Sequence, residues 1–320
     1  MLPPGKAKMS YPSAVRIVEV GPRDGLQNEA VTLSTGDKVE FAARLAAAGL
    51  PVVEAGAFVN PARVPQMADA ADVLARLPRN GSTRYAALVP NMRGLERALA
   101  AGVDEVAVFA AASETFSRRN INQGIAESLD AYAAVCRAAL DAGVPVRAYL
   151  STAFGCPYEG PVPPGRVVEL CERLRELEVF EVAVSDTIGV AHPGQVVRLL
   201  DEAIPRVGVQ ALALHFHDTR GMALANVLAA LGQGIAVFDA SAGGLGGCPF
   251  APGASGNLAT EDLVYMLDGL GIATGVRLPS LFDASAFIAS RLDHELPSRV
   301  FQANRRTRLS PTEVTDADRR

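Results

Sequence analysis

Cysteine is scarce and unpaired in this chain: Cys136, Cys156, Cys171 and Cys248 lie far apart and form no CxxC pair. That disfavours a disulfide framework and a structural zinc site, and reduced thiols in a cytoplasm are the simpler expectation. No apolar run reaches the roughly 20 residues that a membrane span requires. The stretch Met1–Ser13 holds two lysines but no apolar segment. Neither a secretory signal nor an Arg-rich organelle presequence is therefore expected, and the last residues carry no peroxisomal ending. A basic excess is missing as well. Thirty Lys and Arg stand against 35 Asp and Glu, and the net charge of -5 argues against broad binding to nucleic acid or an anionic membrane.

What is present is apolar. Hydrophobic residues make up 49% of the 320 positions and charged residues 20%, enough for a large core and unlike a disordered chain. Short β-branched runs recur, each followed by a longer stretch with helical periodicity, the pattern of parallel βα units. Eight candidate strands can be placed, at Val15–Val20, Val52–Ala57, Tyr85–Val89, Glu105–Phe109, Val146–Ser151, Phe180–Ser185, Leu212–His217 and Ala236–Ala240. Helical segments between them include Asp37–Ala48, Gly94–Ala101, Ile125–Ala142, Pro164–Leu177, Pro193–Ile204 and Met222–Gly232. Gly49, Gly102 and Gly143 stand where left-handed helix ends are expected. Eight such units predict a TIM (β/α)8 barrel over residues 13–300 with extra C-terminal helices, an N-terminal extension over 1–12 and a mobile polar tail over 301–320. An open doubly wound sheet is the competing architecture, but it would gather its functional residues at one switch point.

In a barrel, chemistry gathers at the C-terminal ends of the strands. Arg23 and Asp24 follow the first candidate strand, Glu54 lies in the second, Asp186 follows the sixth, His215 and His217 end the seventh, and a glycine-rich stretch with Cys248 follows the eighth. In a strand, His215 and His217 point to one face, close enough to grip one cation; two histidines satisfied in a polar pocket are the alternative. Asp24 and Asn257 can add oxygen ligands, and such a mixed set suits Mg2+ or Mn2+ better than zinc. Asp24 can equally be a turn residue, and Arg23 with Asp24 a surface ion pair. The run around Gly244, Gly246, Gly247 and Cys248 reads as a flexible lid that would carry a thiol over the site, or as a turn in which Cys248 is a small hydrophobe. It lacks the GKS or GKT of a phosphate-binding loop.

Three segments, Val20-Gly-Pro-Arg-Asp-Gly-Leu-Gln-Asn-Glu29, His215-Phe-His-Asp-Thr-Arg-Gly-Met-Ala-Leu-Ala-Asn226 and Gly244-Leu-Gly-Gly-Cys-Pro-Phe250, resemble those of 3-hydroxy-3-methylglutaryl-CoA lyases. The resemblance runs from about Val15 to Thr274. The Arg-Asp pair and the HxH are shared with a wider group that includes isopropylmalate and homocitrate synthases, whereas the GPRDGLQN and Gly-Cys forms look like the lyase branch. The resemblance implies metal ligands at Asp24, His215, His217 and Asn257. It implies catalytic residues at Arg23, Asp24, Glu54, His215 and Cys248, with Asp186 also in the site. Contacts to an acyl-CoA substrate are expected from Arg23, Gln27 and Asn120. Arg118 and Arg119 would meet CoA phosphates, unless they are a solvated helix surface. The chain departs from the pattern at Ala57, where the family often has serine, and after about Ser280.

The implied reaction is a retro-Claisen cleavage. Asp24 or His215 would serve as base, Arg23 would stabilise the enolate, and Cys248 or Glu54 would act as acid. The expected partners are a divalent cation and the CoA ester, with no organic cofactor beyond that substrate, in a cytoplasmic homodimer or higher homo-oligomer. The rivals are a lyase for a related 3-hydroxyacyl-CoA, a condensing enzyme of the wider group, and a non-catalytic metal-binding barrel.

Overall fold

The computed structural model describes residues 11–79, 81–247 and 256–309. Eight parallel strands close into a ring in sequence order: β1 (Arg16–Glu19), β2 (Val52–Ala57), β3 (Arg84–Leu88), β4 (Glu105–Ala111), β5 (Val146–Ser151), β6 (Glu181–Asp186), β7 (Leu212–Phe216) and β8 (Val237–Ala240). Closure is made by β1 on β8, with Arg16 opposite Val237 and Glu19 opposite Ala240. The barrel expected from the alternating pattern is present, and the open sheet is excluded.

Helices connect the strands: α1 (Thr35–Ala47), α2 (Ala70–Arg76), α3 (Met92–Ala100), α4 (Glu114–Ile121), α5 (Ile125–Asp141), α6 (Pro164–Glu176), α7 (Pro193–Val207) and α8 (Ala223–Gly232). Ser34, Asn91 and Ser113 start α1, α3 and α4 by accepting a hydrogen bond from the backbone N–H three residues on. Gly49, Gly102 and Gly143 take positive φ of 100°, 74° and 75° after α1, α3 and α5, the helix stops that the sequence marks. Among the described residues no helix is long and apolar enough to cross a membrane.

The strands carry apolar residues outward, toward the helices, and a set of charged residues inward. On β5, Val146, Ala148 and Leu150 alternate with Arg147 and Tyr149, all buried. Arg147 reaches Asp239 on β8, three strands away around the ring, so that contact spans the barrel interior. Many barrels fill this volume with branched aliphatic side chains. Here it holds Arg147, Glu181, Asp239, Glu54 and Tyr149, all buried.

Beyond the barrel come α9 (Thr260–Gly269), α10 (Leu278–Ala289) and α11 (Arg299–Leu309). The last corrects the expectation of a tail from residue 301. Ser298 and Asp262 hold its first N–H groups, and Phe301 is only 4% exposed, its ring 6.5 Å from that of Phe282. One buried aromatic therefore anchors an otherwise polar helix. Residues 310–320 lie outside the described residues.

Candidate active site

Five residues after β1, Gly21–Gly25, form a tight turn in which the N–H groups of Arg23, Asp24 and Gly25 all point at the Val20 carbonyl, at 3.1, 2.7 and 3.2 Å. Packing demands the second glycine: a Cβ on Gly25 would come within 2.8 Å of Leu245 Cβ and 2.9 Å of Ser241 Oγ. The turn thus lies against the segment that follows β8, and both sit at the C-terminal rim.

On the same rim, His217 and Asn257 face each other in an isolated antiparallel bridge, which carries Asn257 to the end of β7. One donor atom each from Asp24, His215 and His217 lies within 4.8 Å of the others. Asn257 joins them, its Nδ2 donating to Asp24 Oδ2 at 2.9 Å and to the Leu245 carbonyl at 3.0 Å. The four residues singled out as ligands therefore converge, although they come from three separate parts of the sequence.

The electrostatics of this group suit a cation. Burial alone would raise the Asp24 carboxyl, but Arg23, then His215 and His217, outweigh it and hold the group well below the usual carboxylate range. Burial, reinforced by His215, lowers His217 to about 4, which leaves its imidazole neutral at pH 7. His217 Nδ1 and Asn257 Oδ1 are both buried without a hydrogen-bond partner. Such orphaned atoms are expensive unless something positive meets them. An anion, two imidazoles and an amide oxygen form the mixed oxygen and nitrogen set that a divalent cation takes.

Beside this cluster, Arg23 is 6% exposed, which rules out the surface ion pair. Its guanidinium pairs with Asp24 on one side and with Glu54 Oε2, at 2.9 Å, on the other. Tyr149 donates to the same Glu54 oxygen at 2.8 Å and lies under the guanidinium, 5.3 Å from ring centroid to Cζ. Two donors on one oxygen tie the Glu54 side chain down and fix Arg23 in place. Arg23 Nε and Glu54 Oε1 are left buried and unpartnered. Gln27 donates to Asp24 Oδ1 at 2.9 Å.

Other expected residues are placed differently. Asp186 ends β6, where its oxygens accept from the N–H groups of Val190 and Ala191 at 2.9 and 3.0 Å; burial raises its carboxyl to about 6. Those bonds fix its own loop. Arg118, Arg119 and Asn120 sit exposed on α4. Arg118 stands 3.9 Å from Glu114, and Arg119 stacks 4.3 Å over Tyr158.

The glycine-rich segment is partly a correction. Gly243, Gly244 and Leu245 are buried, Gly243 N–H donates to both oxygens of Glu261 at 3.0 and 2.8 Å, and Leu296 packs where a Gly243 Cβ would be. Gly244 therefore belongs to a fixed root and not to a loose lid, while Gly246 and Gly247 lead away from it. Cys248 lies outside the described residues.

The sequence reading missed Arg147, Tyr149 and Asp239. A charged residue in the middle of an apolar strand was the available clue, because such a group is seldom buried without a partner.

The family model described as HMGL-like matches residues 14–288. A curated relative from Bos taurus, the mitochondrial hydroxymethylglutaryl-CoA lyase, is 51% identical over 92% of this chain and 90% of its own length. The hydroxymethylglutaryl-CoA lyase YngG of Bacillus subtilis is 51% identical over 92% of this chain and 98% of its own length. A crystal structure of hydroxymethylglutaryl-CoA lyase from Pseudomonas aeruginosa superposes with a TM-score of 0.91 at 49% identity, covering 93% of this chain and 99% of that one.

Proposed function

The chain belongs to the HMGL-like family, and from that premise we propose that it is a hydroxymethylglutaryl-CoA lyase, cleaving 3-hydroxy-3-methylglutaryl-CoA to acetyl-CoA and acetoacetate. The observation that carries this reading is the meeting of Asp24, His215, His217 and Asn257 at one rim, directly beside the buried Arg23–Glu54 pair.

The reaction breaks the bond between C2 and C3 of the acyl chain. The C3 hydroxyl passes its proton to a general base and becomes the ketone of acetoacetate, the C2–C3 bonding electrons move onto the thioester carbonyl as an enolate, and C2 then takes up a proton from an acid to give acetyl-CoA. A divalent cation, Mg2+ or Mn2+, held by Asp24, His215, His217 and Asn257, would supply Lewis acidity toward the substrate oxygens.

Arg23 is the residue built to meet the enolate. Its charge persists at any working pH, Asp24 and Glu54 fix its orientation, and its unpartnered Nε–H is a donor awaiting an acceptor. A preorganised donor aimed at developing negative charge lowers the barrier without reorganising during the reaction. Glu54, which accepts from both Arg23 and Tyr149, acts here by aiming Arg23. Asp24, an anion held far below neutrality, is a poor general base and a good cation ligand. The proton for C2 is assigned to Cys248 on sequence grounds. Arg118, Arg119 and Asn120 are assigned to the CoA portion as an exposed polar edge of α4.

The test is an acetyl-CoA release assay over a panel of 3-hydroxyacyl-CoA esters, with and without EDTA. Cleavage of the methyl-branched C6 ester, lost with EDTA and restored by Mg2+ or Mn2+, supports the reading. Turnover only in the condensing direction, or none with cation bound, would replace it with one of its rivals.

A further inference from the structure

The His215 ring is oriented from behind. The strand register sets His215 opposite Asp239, and Nδ1 of the imidazole lies 3.1 Å from Asp239 Oδ2. Asp239, 1% exposed, is clamped in turn by Arg147, whose two terminal nitrogens reach Oδ1 at 2.7 Å and Oδ2 at 3.2 Å. Arg147 is itself held by Glu181 Oε1 at 2.7 Å and stacks on Tyr149 at 5.0 Å. Neither Asp239 nor Arg147 belongs to the ligand cluster or to the Arg23–Glu54 pair.

We propose that Asp239, clamped by Arg147, is a positioning residue that fixes His215 as the Nδ1–H tautomer and thereby presents its Nε2 lone pair to the cation shared with Asp24 and His217. Both oxygens of Asp239 already accept N–H groups from Arg147, so the carboxylate has no proton to give and the facing imidazole nitrogen must be the donor. With Nδ1 committed, Nε2 is the one nitrogen of that ring left with a lone pair. The forked guanidinium fixes the plane of the carboxylate. It also balances the charge of Asp239 in the barrel interior, where an unpaired anion would be strongly destabilising. The carboxylate is thereby kept from swinging forward to become a ligand itself. Outer partners of this kind typically contribute about 10–100-fold in metal affinity.

This inference rests on reading Asp24, His215 and His217 as a cation site, and Mn2+ titration of the metal-stripped protein, followed by electron paramagnetic resonance, tests the two separately. Wild type is expected to bind Mn2+, Asp239→Asn to bind it about 10–100-fold more weakly, and Glu105→Gln to keep wild-type affinity. The last variant alters another buried barrel carboxyl, which pairs with Arg84 and not with Arg147 or Asp239, and controls for general damage. No Mn2+ binding by wild type would overturn both readings. Equal affinity in Asp239→Asn, or an equal loss in both variants, would overturn the positioning role and leave the cation site standing. Should Asp239→Asn fail to fold, nitrogen-15 NMR of the histidine rings in the metal-stripped wild type decides: a protonated Nδ1 on His215 is expected, and an Nε2–H tautomer would end the proposal.

Discussion

Arg23 and Glu54 form a buried ion pair, 2.9 Å from Nη2 to Oε2, that joins the turn after β1 to the middle of β2 and lies over the ring of Tyr149. Because the opposite side of the same guanidinium meets Asp24, one side chain links the proposed enolate-stabilising position to the cluster of Asp24, His215 and His217.

Replacing Arg23 by methionine should therefore lower kcat on the order of 10²–10³-fold, the usual effect of removing a single oxyanion donor. Mn2+ should still bind, because no ligand is removed. Steady-state kinetics of the variant check this, and a change confined to KM would show that Arg23 only binds substrate.

Gly246 tests how the ligand set is held together. Its φ is 110°, and an added Cβ would fall 2.6 Å from Asn257 Nδ2. Gly246→Ala should displace Asn257 and weaken Mn2+ binding although it alters no ligand. Unchanged affinity by calorimetric titration would mean that Asn257 is dispensable to the cluster.

Burial raises Glu261 to about 8 and Glu19 to about 7, against an ordinary value of 4.5. The folded state then binds protons more tightly than the unfolded chain between those limits. The stabilisation is fully present below about pH 4.5 and is lost as the pH rises through 7 and 8. Tm should accordingly fall between pH 5 and about 8.5, and Glu261→Gln should flatten that part of the profile. Calorimetric scans at several pH values provide the measurement, and an unaltered slope in the variant would dissociate Glu261 from the effect.

Much of the barrel was legible because the strands are short apolar runs, several of them β-branched, and several helices end at glycine stops, a local pattern that survives folding. The rim residues were legible for a related reason: Asp24, His215 and His217 stand at strand ends, where a barrel concentrates chemistry. The inward layer was not. Arg147 and Asp239 are 92 residues apart in sequence, and their pairing follows from ring closure, which no local period encodes. Gly244 was misread as part of a lid because glycine predicts freedom, whereas Leu296 and Glu261, both distant in sequence, pack and bond the adjoining Gly243 into place. Helix α11 was hidden by its polar composition, since its docking rests on Phe301.

That last point is itself testable. Phe301→Ala should destabilise the protein by about 3 kcal/mol, the lower end for emptying a buried aromatic site, in urea unfolding. A loss below about 0.5 kcal/mol, the range of ordinary surface changes, would return α11 to the status of a loosely held tail.

The central claim is that four side chains brought from three regions of the chain grasp one divalent ion. Diffraction from crystals grown with Mn2+, recorded at the manganese absorption edge, tests it most directly. A single strong anomalous peak among Asp24, His215, His217 and Asn257 is the predicted result. A peak elsewhere, or none there in crystals of protein that turns over in the presence of Mn2+, would contradict it.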